Sequence, residues 1–248
     1  LLLCGSLLVC AGIARAQGPN LRVPPSVNVE RDINYAGTSN PAQTLDLYLP
    51  RKPKGDAPLP VVVNIHGGAF KAGDKSQGAG AVIALVASGA YAGASINYRL
   101  SGEAIWPAQI HDCKAAIRWV RANAKKYHFD PDRIGVIGGS AGGHLVAMLG
   151  TSGGVEALEG DVGPYKGTSS QVRCVVDQFG PSELLTMGDY PSSMDHNAPR
   201  SPESELLGGA VQENKEKAKA ASPITYVSKG DPPSRRPIRA TAAISRAR

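Results

Sequence analysis

Aromatic side chains are scarce in this chain: 5% of its 248 residues, although 42% are hydrophobic. Proteins that hold single-stranded nucleic acid stack bases on aromatic rings set among cations, and so few rings leave little for such a surface. The net charge of +6 does not restore that reading. The last residues, SRRPIRATAAISRAR, carry five arginines and no acid, and without them the balance is +1. The basicity therefore belongs to a tail and not to a folded face, and no nucleic-acid partner is expected. Cysteine is equally sparse, with two of the four, Cys4 and Cys10, in the first ten residues. No CxxC pair is present, which excludes the usual zinc-ribbon and dithiol-redox patterns, and neither a metal nor a cofactor is expected. There is no internal repeat and no long low-complexity segment, so solenoid and fibrous classes fall away. What remains is length and apolar content enough for one large α/β domain with a real core.

The opening run, LLLCGSLLVCAGIARAQ, is apolar but too short to span a bilayer. Ala14-Arg15-Ala16 has the small-x-small form of a signal-peptidase site, so residues 1–16 are expected to be a signal peptide, met partway through because neither methionine nor a basic stretch precedes it. The mature protein would begin near Gln17, be secreted or periplasmic, and have no membrane attachment once the signal is gone. A lipoprotein anchor at Cys10 is a weaker alternative, since Val9 is not the small residue such a site prefers. Export would leave Cys113 and Cys174 alone in an oxidising compartment, either bridged or packed as two buried thiols.

Past a polar, proline-bearing leader (17–43), TLDLYLP from Thr44 to Pro50 alternates like a half-buried strand. Three short runs with few charges follow: Val61 to Ile65, Tyr91 to Tyr98 and Ile134 to Gly138. A fourth, VRCVVD, starts at Val172. Runs apolar on both faces and separated by helical patterns are what a parallel sheet covered on both sides requires. The clearest helix follows Trp106-Pro107, where Ile110, Cys113, Ile117, Val120 and Ala124 recur at spacings of three and four. His111 and the Lys and Arg residues fall off that stripe. A second helix is expected in GAVIALVASG, ending at Gly89. The fold class that follows is α/β, doubly wound, with a mostly parallel sheet.

The third run leads into GGSAGGHL, where Gly138 to Gly142 has the form G-x-S-x-G. A serine on a sharp strand-to-helix turn sits at strained backbone angles, and glycine neighbours let strand and helix approach while its hydroxyl stays exposed. The first amides of the helix point at the same space and favour developing negative charge. The pattern alone is weak, because plain tight turns also match it. Upstream, VVVNIHGGAF places His66-Gly67-Gly68-Ala69 directly after another buried strand, where backbone N–H groups can turn toward an oxyanion. Both motifs, each after its own strand and in this order, favour chemistry over a plain turn.

HGGAF, SINYRL leading to WPAQIHDCKAAIRWVRANA, DPDRIGVIGGSAGGHLVAMLG, VVDQFGPSEL and SPITYVSKGDPP together resemble the α/β-hydrolase fold esterases of the hormone-sensitive-lipase-like group, most closely the exported bacterial feruloyl and acetyl-xylan esterase branch. The resemblance runs from about Thr44 to Pro233. It implies Ser140 as nucleophile and an oxyanion hole from the amides of Ala141, Gly68 and Ala69, with Gly67 supporting the loop. Ala69 stands where the family usually has a third glycine. The implied substrate is a small-molecule or polysaccharide ester. His66 is expected to hold the oxyanion loop and His144 to be structural, while His111 and His128 read as surface groups.

A serine hydroxyl needs a histidine to take its proton and an acid to hold that histidine, in this fold in the chain order Ser, Asp or Glu, His. In the resembling family a strand ending in His-Gly and an aspartate follows the SPITYV phrase, and a glycine-flanked histidine comes later. Here Ser234 to Arg248 follow, with no apolar strand, acid or histidine. The chain is therefore expected to be a hydrolase domain (44–233) missing its last strands, ending in an aberrant basic tail (234–248) from truncation or a shifted frame, with VRCVVD left as a bare edge. Asp177 and His196 satisfy the required order and are the one alternative acid and base. The competing reading is a non-catalytic fragment or ligand-binding pseudoenzyme. A peptidase of this fold is disfavoured because no second domain screens the site.

Overall fold

The computed structural model describes residues 22–235. The expected signal peptide and all of the basic tail beyond Arg235 lie outside the described residues. The chain runs β1 (Val27–Asn34), β2 (Thr44–Pro50), β3 (Leu59–Ile65), α1 (Ala79–Ala87), β4 (Ala92–Ile96), α2 (Ala108–Ala122), α3 (Ala124–Tyr127), β5 (Phe129–Gly139), α4 (Ala141–Thr151), α5 (Glu156–Glu159), β6 (Cys174–Gln178), α6 (Pro202–Leu207), α7 (Lys215–Ala220) and β7 (Ser234–Arg235). The strands form one sheet in the order β1-β2-β4-β3-β5-β6-β7. From β4 through β7 neighbours are parallel, while β1 and β2 join antiparallel at one side.

This order decides where a site can lie. From β3 the chain steps to β4 on one side, then crosses back over β3 to form β5 on the other. The loops leaving β3 and β5 at their carboxyl ends diverge there, and open α/β sheets bind ligands at such a switch point. Ile65 is in register with Gly138, so the segments that follow them emerge side by side.

Both sheet faces are covered, as β3 demands: Val61, Val63 and Ile65 enter the larger core on one face, and Val62 packs against the smaller one on the other. Val82, Ile83 and Val86 of α1 pack with Val27 and Tyr48 on one face, and α2 and α4 close the larger core on the other. The expected stripe of α2, Ile110, Cys113, Ile117 and Val120, is fully buried. Its polar face departs from expectation, because Lys114 and Arg118 are buried as well. The reason is Glu159 on α5. Lys114 Nζ lies 2.7 Å from Glu159 Oε1 and 2.7 Å from the Ser152 carbonyl, while Arg118 reaches Glu159 Oε2 at 3.3 Å and the carbonyls of Glu159 and Val162 at 2.9 and 3.1 Å.

Three features of the sheet differ from the sequence reading. Part of the leader is β1, an edge strand. β2 is buried on both faces rather than one, because Tyr48 lies under α1 and Asp46 is paired with Arg31 and Lys75. The edge of β6 is not bare: Ser234 and Arg235 pair with Val175 and Val176 as β7. Among the described residues no helix is long and apolar enough to cross a membrane.

Candidate active site

Ser140 stands between β5 and α4 at φ 54° and ψ −122°. Few non-glycine residues adopt a positive φ, and holding one there costs about 1–3 kcal/mol. The surroundings impose it. The Ser140 N–H donates to the Gln178 carbonyl at 2.9 Å, and the His144 N–H donates to the Ser140 carbonyl at 3.0 Å, which fastens the turn to β6 and to the first turn of α4. The glycines around it are close-approach positions. A Cβ on Gly142 would lie 2.1 Å from the Ile65 carbonyl oxygen, and one on Gly138 would lie 2.4 Å from that of Gly142. Strand β3, strand β5 and helix α4 meet there by backbone alone, and the serine is left exposed.

The β3 loop abuts the same turn. A Cβ on Gly67 would lie 2.8 Å from the Gly139 carbonyl and 3.5 Å from Ser140 Cβ. Gly68, Ala69 and Phe70 all have positive φ, at 113°, 56° and 60°, a loop conformation held by the Lys71 and Ala72 N–H groups, which both donate to the Gly68 carbonyl. His66 lies beneath, its ring stacked on Tyr98 at 4.4 Å, and the Tyr98 hydroxyl donates to the His66 carbonyl at 3.1 Å. Its Nδ1 faces the Gly67 carbonyl at 2.7 Å, so that nitrogen carries the proton. Burial pushes its pKa down, with the Gly67 contact partly opposing, and the ring serves as a neutral brace.

His144 is fully buried between the edges of Phe70 and Trp106. Nε2 donates to the Ala221 carbonyl at 2.6 Å, and Nδ1 has no hydrogen-bond partner among the described residues. Burial lowers its pKa to about 4. It ties the elbow helix to Phe70 of the β3 loop and to the segment after α7. His128 is exposed, and His111 is half-buried rather than free at the surface, with Nε2 at 3.2 Å from the Ala157 carbonyl.

Ser140, Gly67, Gly68, Ala69 and Ala141 therefore converge, but the alternative acid and base do not join them as a relay. Asp177 is buried beside α4, where its Oδ1 accepts the Gly180 N–H at 2.7 Å, and a Cβ on Gly143 would press on the same oxygen. His196 is engaged elsewhere. Its Nδ1 lies 3.1 Å from Glu203 Oε2 and its Nε2 lies 3.2 Å from Ser192 Oγ. This corrects the Asp177–His196 pairing: the buried carboxylate of α6 orients the ring, and chain order alone gave no sign of it. Among the described residues no histidine hydrogen-bonds to Ser140 Oγ, and no group of three or more His, Cys, Asp or Glu gathers as a metal site. Cys113 and Cys174 are free thiols, the first buried on α2 and the second exposed on β6, so neither the bridge nor a pair of buried thiols describes them fully.

Sheet order, elbow and facing loop together define an α/β-hydrolase. The chain belongs to the BD-FAE family, whose profile matches residues 45–235. It is similar to esterase LipC of Mycobacterium tuberculosis (strain ATCC 25618 / H37Rv), 33% identical over 64% of this chain and 40% of that protein. Among solved structures it is similar to a truncated form of a carbohydrate esterase from gut microbiota, 38% identical with a TM-score of 0.77 over 84% of this chain and 75% of that one. A bifunctional GH43-CE protein of Bacteroides eggerthii is 39% identical, with a TM-score of 0.73 over 83% of this chain and 27% of that one. The chain spans about half or less of the length of the curated relatives it matches first.

Proposed function

We propose that this protein is an exported serine carboxylesterase that removes acyl groups, acetyl or feruloyl, from plant polysaccharide such as xylan. The observation that carries the reading is the apposition of a strained, exposed Ser140 to the Gly67–Ala69 loop. Ser140 Oγ attacks the ester carbonyl and loses its proton to a base. The carbonyl oxygen, now negative, lies toward the amides of Gly68, Ala69 and Ala141, and the first turn of α4 adds its dipole. Collapse expels the alcohol with a proton and leaves an acyl-serine, which water hydrolyses to the free acid. Names of relatives support the ester bond, and two structural neighbours support a carbohydrate carrier.

A second reading, a non-catalytic ligand-binding protein, is favoured by one observation: His196 is held by Glu203 and Ser192 rather than by the nucleophile. A fluorophosphonate, which reacts only with an activated serine, separates the two. Stoichiometric labelling of the wild-type chain, lost in Ser140→Ala, is expected from the esterase. An unlabelled wild type supports the non-catalytic reading, and labelling that persists in Ser140→Ala removes Ser140 from the role.

A further inference from the structure

Phe179 follows the last residue of β6 and is 79% exposed. Its φ is 52°, a conformation that costs an L-residue about 1–2 kcal/mol. An exposed ring adds little to the core, so a fold selected for stability alone gains nothing from holding phenylalanine in that conformation. Glycine would serve the turn into Gly180-Pro181 better.

The position of the ring supplies the reason. The residue before Phe179 is Gln178, whose carbonyl accepts the Ser140 N–H. The ring tip leans back over the elbow: a Cβ on Gly139 would lie 3.4 Å from Phe179 Cζ and 3.6 Å from Gln178 Oε1. The tip of an exposed aromatic ring and a side-chain amide oxygen thus flank Gly139, the residue before Ser140. We infer that Phe179 is a specificity-determining platform that stacks on a planar aromatic acyl group, with Gln178 beside it to accept a hydrogen bond from a ring hydroxyl. The inference rests on the esterase reading of Ser140. It follows from reach: a group lying on this ring is attached within a few bonds of the attacked carbonyl, as the ring of a hydroxycinnamoyl ester is, whereas an acetyl group is too short to cover it. Aromatic pairs prefer offset or edge-to-face packing and contribute beyond area alone.

The test reads binding and needs no turnover. In the Ser140→Ala chain, equilibrium dialysis of methyl 4-hydroxycinnamate, followed by its absorbance, is expected to give a Kd about fivefold higher when Phe179→Ala is added, with Phe179→Tyr close to the parent. Binding of acetylated xylobiose is expected to stay within about twofold, since the ring adds nothing to an acetyl group. Thermal unfolding separates platform from packing: Phe179→Gly is expected to raise the melting temperature, because it relieves the positive φ. No cinnamate binding to the parent, an unchanged Kd in Phe179→Ala, an equal loss for the acetylated sugar, or a fall in melting temperature in both variants would each overturn the assignment. Failure of the fluorophosphonate to label Ser140 with the Kd difference intact would sink catalysis and leave the platform standing.

Discussion

Glu159→Ala is expected to lower the unfolding free energy by about 3 kcal/mol, measured by urea denaturation at pH 7. The carboxylate is half-exposed, but its two partners are not: the side chains of Lys114 and Arg118 are 1% and 2% accessible. Burial pushes the Lys114 amine below its usual range, and its hydrogen bond to the Glu159 carboxylate only partly restores it. Desolvation likewise raises the Glu159 carboxyl, yet the bonds from Lys114 and Ser170 and the charges of Lys114 and Arg118 outweigh it and hold its pKa low. Removing the carboxylate leaves two cations in the core with carbonyl partners alone. Breaking a buried pair costs about 3–5 kcal/mol, and the retained carbonyls place this variant at the low end. Adding Lys114→Met should recover part of the loss, since one stranded charge goes with it. A single-variant effect under about 1 kcal/mol would show that water already reaches the cluster.

That cluster also marks where the sequence stopped being legible. The strand runs at Thr44, Val61 and Ile134, the helix after Pro107 and the elbow at Ser140 were readable because each is a local pattern: an apolar period, a breaker, a glycine at a tight approach. The bounds of β2 coincide with those expected, Thr44 to Pro50. The α2 stripe was readable for the same reason. What failed was non-local. Lys114 and Arg118 fall off the apolar stripe, and no local pattern signals their burial because their counter-charge is more than forty residues away on α5. β1 was missed because an edge strand pairs on one side only: Val27 alone of its eight residues is buried, so VNVERDIN carries almost no apolar signal. His196 fitted a chain order and belongs to a different partner, Glu203, seven residues on. Phe179 does carry a local signal, a lone aromatic before Gly-Pro at a strand end, where a turn needs no ring.

Acid is expected to destabilise this fold well above the range in which its carboxylates titrate, and His144 is the group responsible. Its ordinary pKa is 6.5 and its folded value is about 4, set by burial against Phe70 and Trp106, with the bond to the Ala221 carbonyl only partly opposing. Between those values the unfolded chain binds a proton that the folded chain does not, so stability is complete above about pH 6.5 and falls as pH drops toward 4. The difference corresponds to about 3 kcal/mol. His66, whose pKa burial also lowers, adds to the same slope, while Glu159, whose pKa is lowered too, withdraws its contribution only at the more acidic end. Urea unfolding at pH 7, 5.5 and 4 should therefore show a steep loss, and His144→Gln, which keeps an N–H for Ala221 but cannot titrate, should flatten it without abolishing it. An unchanged slope in that variant would mean that the ring is protonated in the folded state. Phe70 continues the Gly67–Ala69 loop and His144 follows Ser140 by one turn, so the charge that unfolds the protein would enter at the joint between them. Fluorophosphonate labelling of Ser140 should decline over the same pH interval as stability and recover when the pH is restored.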